Sequence, residues 1–234
     1  MKKKVTVTAI IAGIFLLSLI SFPVLHNQRK IRVACVGDSI THGAYLTNRK
    51  SEAYPAQLQK LLGNGYLIKN YGVNSATLQN NGDKPYTEEK FYQKSLDFQP
   101  DIVLIMLGTN DTKSQNRGDL PNFRRDYESL IESYSNLSSH PTIYLLTPPP
   151  IYSVNKKNTL AYSMHRDSLD EEITVIKNLA KKYGLTLIDI HTELTDHPKY
   201  FTRDGVHPDK DGAFHIANFI YNSLIGESSK ESNS

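Results

Sequence analysis

Four short motifs, met in a fixed order, carry side chains suited to acyl chemistry. Gly37-Asp38-Ser39-Ile40 follows an apolar run. Asn70-Tyr71-Gly72-Val73-Asn74 comes next, then Gly108-Thr109-Asn110-Asp111, and last Asp204-Gly205-Val206-His207-Pro208. A serine hydroxyl is a weak nucleophile at neutral pH until a base accepts its proton. His207 is the candidate base for Ser39. Asp204 lies three residues earlier, in a turn set by Gly205 and Pro208, and can fix the imidazole tautomer. A tetrahedral intermediate needs donors for its oxyanion. The candidates are the backbone N–H of Ser39, the backbone N–H of Gly72, where a glycine permits close approach, and the side chain of Asn110. Taken singly, each has a plainer reading. Asp38 or Ser39 could cap a helix, Asn110 could close an Asx turn, and Asp204 could bond its own backbone. Their joint order points to serine-dependent cleavage of an acyl bond.

These residues need elements to hold them. Apolar runs at 31–36, 66–71, 101–107, 142–146 and 185–190 read as strands. The run at 101–107, bounded by Pro100 and Gly108, suits a strand buried on both faces. Helical patterns fall at 53–62, 87–96 (capped by Thr87), 122–137, 163–183 and 209–224, and Gly184 is placed as a C-cap. Residues 72–85 are polar and glycine-bearing, hence loop. Strands alternating with helices argue for an open parallel sheet, in which ligands bind beyond the carboxyl ends of the strands. Ser39, Gly72 and Asn110 all lie just past such ends.

The four motifs resemble the GDSL/SGNH hydrolase family, from about Lys30 to about Ile225. The resemblance implies a flavodoxin-like three-layer α/β/α sandwich around a five-stranded parallel sheet, and hydrolysis of esters or thioesters. It carries the nucleophile to Ser39, the acid and base to Asp204 and His207, and the oxyanion donors to Ser39, Gly72 and Asn110. The first motif reads GDSI where the family name spells GDSL; the position after the serine is apolar either way. Residues 80–86 and 105–113 look like the bacterial branch of sialate or carbohydrate O-acetylesterases, which remove small acyl groups from sugars outside the cytoplasm. A glycan ester or small-molecule ester is therefore the expected substrate. Three other readings stay open: a lysophospholipase or thioesterase taking longer chains, acyl transfer to a sugar rather than to water, and a catalytically idle carbohydrate-binding module. Asn74 and Asp111 are read as supports of the oxyanion donors. Lys84, Tyr86 and Tyr152 are candidates for the pocket wall or for plain surface.

The 27 basic residues exceed the 24 acidic ones by only three, and Lys2, Lys3 and Lys4 account for that excess. No basic stripe with interleaved aromatics appears, so no nucleic-acid partner is expected. The three lysines followed by an apolar stretch from Val5 to Ile20 read as a targeting segment, either a cleaved signal or a membrane anchor. The expected organisation is 1–29 for that segment, 30–225 for the hydrolase domain and 226–234 for a disordered polar tail. In either case the catalytic part lies outside the cytoplasm. Cys35 is the single cysteine, read as a small buried apolar residue. His42, His191, His197 and His215 show no metal spacing, and no phosphate-binding glycine loop is present. Neither a metal nor another cofactor is expected.

Overall fold

The computed structural model describes residues 29–118, 120–155 and 157–231. The expected targeting segment lies outside them, apart from Arg29. Five parallel strands form one sheet. In chain order the elements are β1 (Ile31–Gly37), α1 (Ser39–His42), α2 (Arg49–Glu52), α3 (Tyr54–Leu62), β2 (Tyr66–Gly72), α4 (Lys90–Asp97), β3 (Ile102–Met106), α5 (Leu120–Ser135), β4 (Thr142–Leu146), α6 (Arg166–Tyr183), β5 (Thr186–Ile188), α7 (Ile190–Leu194) and α8 (Lys210–Glu231). The sheet order is β2-β1-β3-β4-β5. That is the flavodoxin-like doubly wound order, whose switch point lies between β1 and β3.

Successive strand residues point to opposite faces, so each face collects its own core. Ala34, Val36, Val103, Ile105, Ile143 and Leu145 pack under α5 and α6, with α4 alongside. Val33, Cys35, Leu104, Met106, Tyr144 and Leu146 pack under α3, α7 and α8. Burial on both faces explains why the strands read as continuous apolar runs rather than alternating ones. Cys35 is fully buried, and burial pushes its thiol well above the ordinary range.

Several boundaries differ from the sequence reading. Ile190 opens α7 rather than ending a strand, because the Asp189 side chain accepts from Thr192 N and caps a helix there. Helix α4 starts at Lys90, after a 3-10 turn over Tyr86–Glu88. Thr87 does not cap it; its hydroxyl donates to Asn80 Oδ1 at 2.6 Å. Helix α6 starts at Arg166, because Tyr162 and Ser163 take left-handed φ values of 56° and 51°. Helix α8 runs through Gly226 to Glu231 instead of giving way to an irregular tail. No proline interrupts that stretch, and one glycine weakens a helix without ending it.

Candidate active site

The strand ends and α1 are brought together by two glycines. Gly37 and Gly72 are register partners at the ends of β1 and β2. A Cβ on Gly37 would lie 2.1 Å from Thr41 Oγ1, and one on Gly72 would lie 2.2 Å from the His42 backbone nitrogen. Only residues without side chains let α1 turn so tightly over the sheet edge. Asn70 ties the same corner, donating from Nδ2 to Thr41 O at 2.7 Å. Asp38 caps α1, its carboxylate accepting from Ile40 N at 2.8 Å. The turn leaves Ser39 as the first residue of α1, only 8% exposed, at the mouth of a pocket.

The late loop supplies the partners. His207 Nε2 lies 2.8 Å from Ser39 Oγ, and His207 Nδ1 lies 2.6 Å from Asp204 Oδ2. Asp204 Oδ1 accepts from Thr202 Oγ1, Val206 N and His207 N at 2.8, 2.9 and 3.0 Å. Burial alone would raise the Asp204 pKa. The His207 ring, the two N–H groups and the Thr202 hydroxyl outweigh it and hold the carboxyl well below the usual range. An ionised Asp204 accepts, so the neutral ring carries its proton on Nδ1 and presents a lone pair on Nε2 to the Ser39 hydroxyl. A left-handed Gly205, with φ of 70°, makes the turn that brings acid and base together.

Two tyrosines extend this chain of bonds. The Tyr162 hydroxyl donates to Asp204 Oδ2 at 2.9 Å and stands 2.9 Å from the Tyr45 hydroxyl. Because Tyr162 donates to a carboxylate, it accepts from Tyr45. The Tyr45 ring lies 4.9 Å from the His207 ring, centroid to centroid. Tyr45, Ser75 and Tyr162 all hold positive φ without being glycine, and all three line the same pocket. Backbone strain of this kind concentrates at functional sites.

The sequence-predicted oxyanion donors divide. Asn110 is 3% exposed and lines the pocket beside Ser39 and His207. Its Nδ2 donates to Ala76 O at 3.1 Å and makes only a long 3.5 Å contact with Asp38 Oδ2, so one N–H stays weakly engaged. Gly72 does not serve as expected. Its N–H donates to Asn70 Oδ1 at 2.9 Å, and the residue packs under α1 instead of lining the pocket. Ser75 stands there in its place, and the N–H groups of Ser39 and Ser75 have no acceptor among the described residues. Sequence reasoning missed Ser75, Tyr45 and Tyr162. A serine held at left-handed φ has no sequence mark, and the tyrosines meet the motifs only in space.

The supports are built as expected in one case. Asp111 Oδ2 and Oδ1 accept from Leu78 N and Gln79 N at 2.9 and 2.8 Å, fastening the loop that follows β2. Burial pushes its carboxyl up to about 7 despite these bonds. Burial likewise raises Asp38 to about 6, although its bond from the Ile40 N–H pulls the other way. Asn74 is exposed and lines the pocket, its carbonyl accepting from Lys84 Nζ at 3.0 Å. Lys84, Tyr86 and Tyr152 do not line the pocket: Tyr86 is fully buried with its hydroxyl on Tyr71 O, and Tyr152 donates to Thr195 O. His42, half-buried, does line it, whereas His191, His197 and His215 lie elsewhere. Among the described residues no group of three or more His, Cys, Asp or Glu side chains could hold a metal.

Residues 35–213 match the GDSL-like lipase/acylhydrolase family. The chain belongs to that family. An acetylxylan esterase of Xylanibacter ruminicola is 36% identical over 215 residues, which cover 83% of this chain and 43% of that protein. The chain thus spans less than half the length of this relative. Among solved structures, a carbohydrate acetylesterase from Sinorhizobium meliloti aligns with a TM-score of 0.69 at 20% identity, over 84% of this chain and 99% of that one. A lipase/acylhydrolase from Enterococcus faecalis aligns with a TM-score of 0.65 at 23% identity, over 84% and 96%. These two likenesses speak for the shared fold.

Proposed function

We propose that this acylhydrolase-family protein is a serine esterase that removes acetyl groups from carbohydrate esters. The observation that carries the reading is the unbroken relay Ser39–His207–Asp204, at 2.8 and 2.6 Å. Ser39 Oγ attacks the ester carbonyl while its proton passes to His207 Nε2. The oxyanion is held by the N–H groups of Ser39 and Ser75 and by Asn110 Nδ2. His207 then gives its proton to the departing sugar hydroxyl. A water attacks the acyl-Ser39 ester, with His207 again accepting a proton, and acetate leaves. This order follows from what each group can donate or accept.

The substrate class rests on the named relative and on the pocket wall. Asn74, Ser75, Asn110 and Lys113 offer hydrogen bonds around a cavity of about 510 Å³. The lysine-led apolar segment at the N-terminus supports export, with the catalytic part outside the cytoplasm;. Hydrolysis of nitrophenyl esters from acetyl to dodecanoyl tests the reading, wild type against Ser39→Ala. A rate that peaks at acetyl and disappears in Ser39→Ala is expected. A peak at long acyl chains would move the assignment to lipid esters.

A further inference from the structure

Building on that esterase reading, we propose that the sugar ester it cleaves is acidic: an anionic group on the sugar, a carboxylate, is bound by Lys113 and Arg49 beside Ser39. Lys113 is only 8% exposed and lines the pocket. Its side chain makes no hydrogen bond or ion pair with any described residue. A nearly buried lysine with no direct hydrogen bond or ion pair is costly, since an ammonium is kept in water or paired. The carboxylate that acts on it is Asp38, which lies behind Ser39 and is engaged with Ile40 N and Asn110.

Arg49 lines the same pocket and is aimed by a histidine. Burial, and then the charge of Arg49, keep His42 below the ordinary histidine range, so its ring is neutral. Its Nδ1 donates to Gly72 O at 3.2 Å, which leaves Nε2 to accept from Arg49. The guanidinium rests against the His42 ring, and none of the ion pairs among the described residues includes Arg49. A forked guanidinium and a nearly buried lysine on the wall of one pocket suit a carboxylate;. No Asp or Glu lines this pocket. A second pocket, of about 500 Å³, shares His42 and Arg49 and adds Lys50 and Lys60, again with no acidic residue on its wall.

The test compares kcat/KM on O-acetylated glucuronic acid and O-acetylated glucose at about 0.02 and about 0.5 M salt, over which the Debye length shrinks about fivefold. Wild type is expected to favour the acidic ester by about tenfold or more at low salt, as one charge-assisted contact would give. The preference should shrink in high salt and collapse toward parity in Lys113→Met and in Arg49→Gln, mainly through KM. Arg49 is exposed, so Arg49→Gln reads the ratio even if the buried Lys113→Met fails to fold. Equal kcat/KM on the two sugars, or a preference that survives both substitutions, would overturn the proposal. A stronger preference for an O-acetylated glucose phosphate would overturn the carboxylate assignment. Nitrophenyl acetate separates the two levels. No Ser39-dependent rate there removes the esterase reading itself; a normal rate there with parity on the sugars removes only the anion site.

Discussion

At the residue scale, the site depends on which groups hold the histidine and which donors stay unengaged. Ser39→Ala should lower kcat/KM by about 10⁴-fold or more, read with nitrophenyl acetate. Asn110→Ala should cost about 10² to 10³ in kcat, the usual effect of losing one oxyanion donor. Gly72→Ala should act differently. Its new Cβ meets the α1 backbone, so thermal unfolding should show a lowered Tm. Ser75→Gly should retain activity, because the expected donor is a backbone N–H at φ of 63° that glycine adopts without strain;. Tyr162 donates to the same Asp204 oxygen that faces His207. Tyr162→Phe should lower kcat by about tenfold, with KM little changed, if that bond helps to hold the acid. Serine, acid, base and asparagine were legible in the sequence because their chemistry is carried by residue type. The second backbone donor was not, since every residue but proline has an N–H and only the local turn decides which one is unengaged.

At the element scale, the five strands and the principal helices were legible because apolar runs and 3.6-residue periodicity report burial directly. The misplaced ends share one cause: side chains and turns that act locally, such as the Asp189 cap of α7 and the left-handed Tyr162-Ser163 pair before α6. Helix α6 also carries an unexpected buried carboxyl group. Glu172 is 4% exposed and its Oε2 has no partner among the described residues. Burial first, then the neighbouring Asp111 and Glu171, raise its carboxyl well above 4.5. Between 4.5 and that raised value the folded chain keeps a proton that the unfolded chain releases. The contribution of Glu172 to stability is therefore full at low pH and is lost as pH rises through that window. Glu172→Gln should remove this loss. Urea unfolding of the two proteins should show the variant gaining on wild type by at most about 1.4 kcal/mol per pH unit across the window. A constant difference from pH 5 to 8 would mean that Glu172 titrates normally.

At the scale of the whole molecule, both cores and every site residue lie between Ile31 and Glu231. Arg29 pairs with Asp101 at the edge of this unit. A chain beginning at Arg29 should therefore fold and cleave nitrophenyl acetate at the full-length rate; a large loss would assign residues 1–28 a part in the fold or the site. The sheet order places β1 and β3 at the switch point, and Ser39 and Asn110 follow those two strands. This is why Ser39 and Asn110, 71 residues apart in sequence, converge, and why fold class could be read from alternation of elements while the pocket wall could not. Arg49, Lys113, Tyr45 and Tyr162 meet only through the packing of separate loops. The central claim is that Ser39 is the nucleophile, activated by His207. Its most direct test is covalent capture with a serine-directed fluorophosphonate, read by intact mass and peptide mapping. One adduct is expected, on Ser39, and it should be lost or greatly slowed in His207→Ala. An adduct on another residue, or labelling of Ser39 at an unchanged rate without His207, would contradict the account.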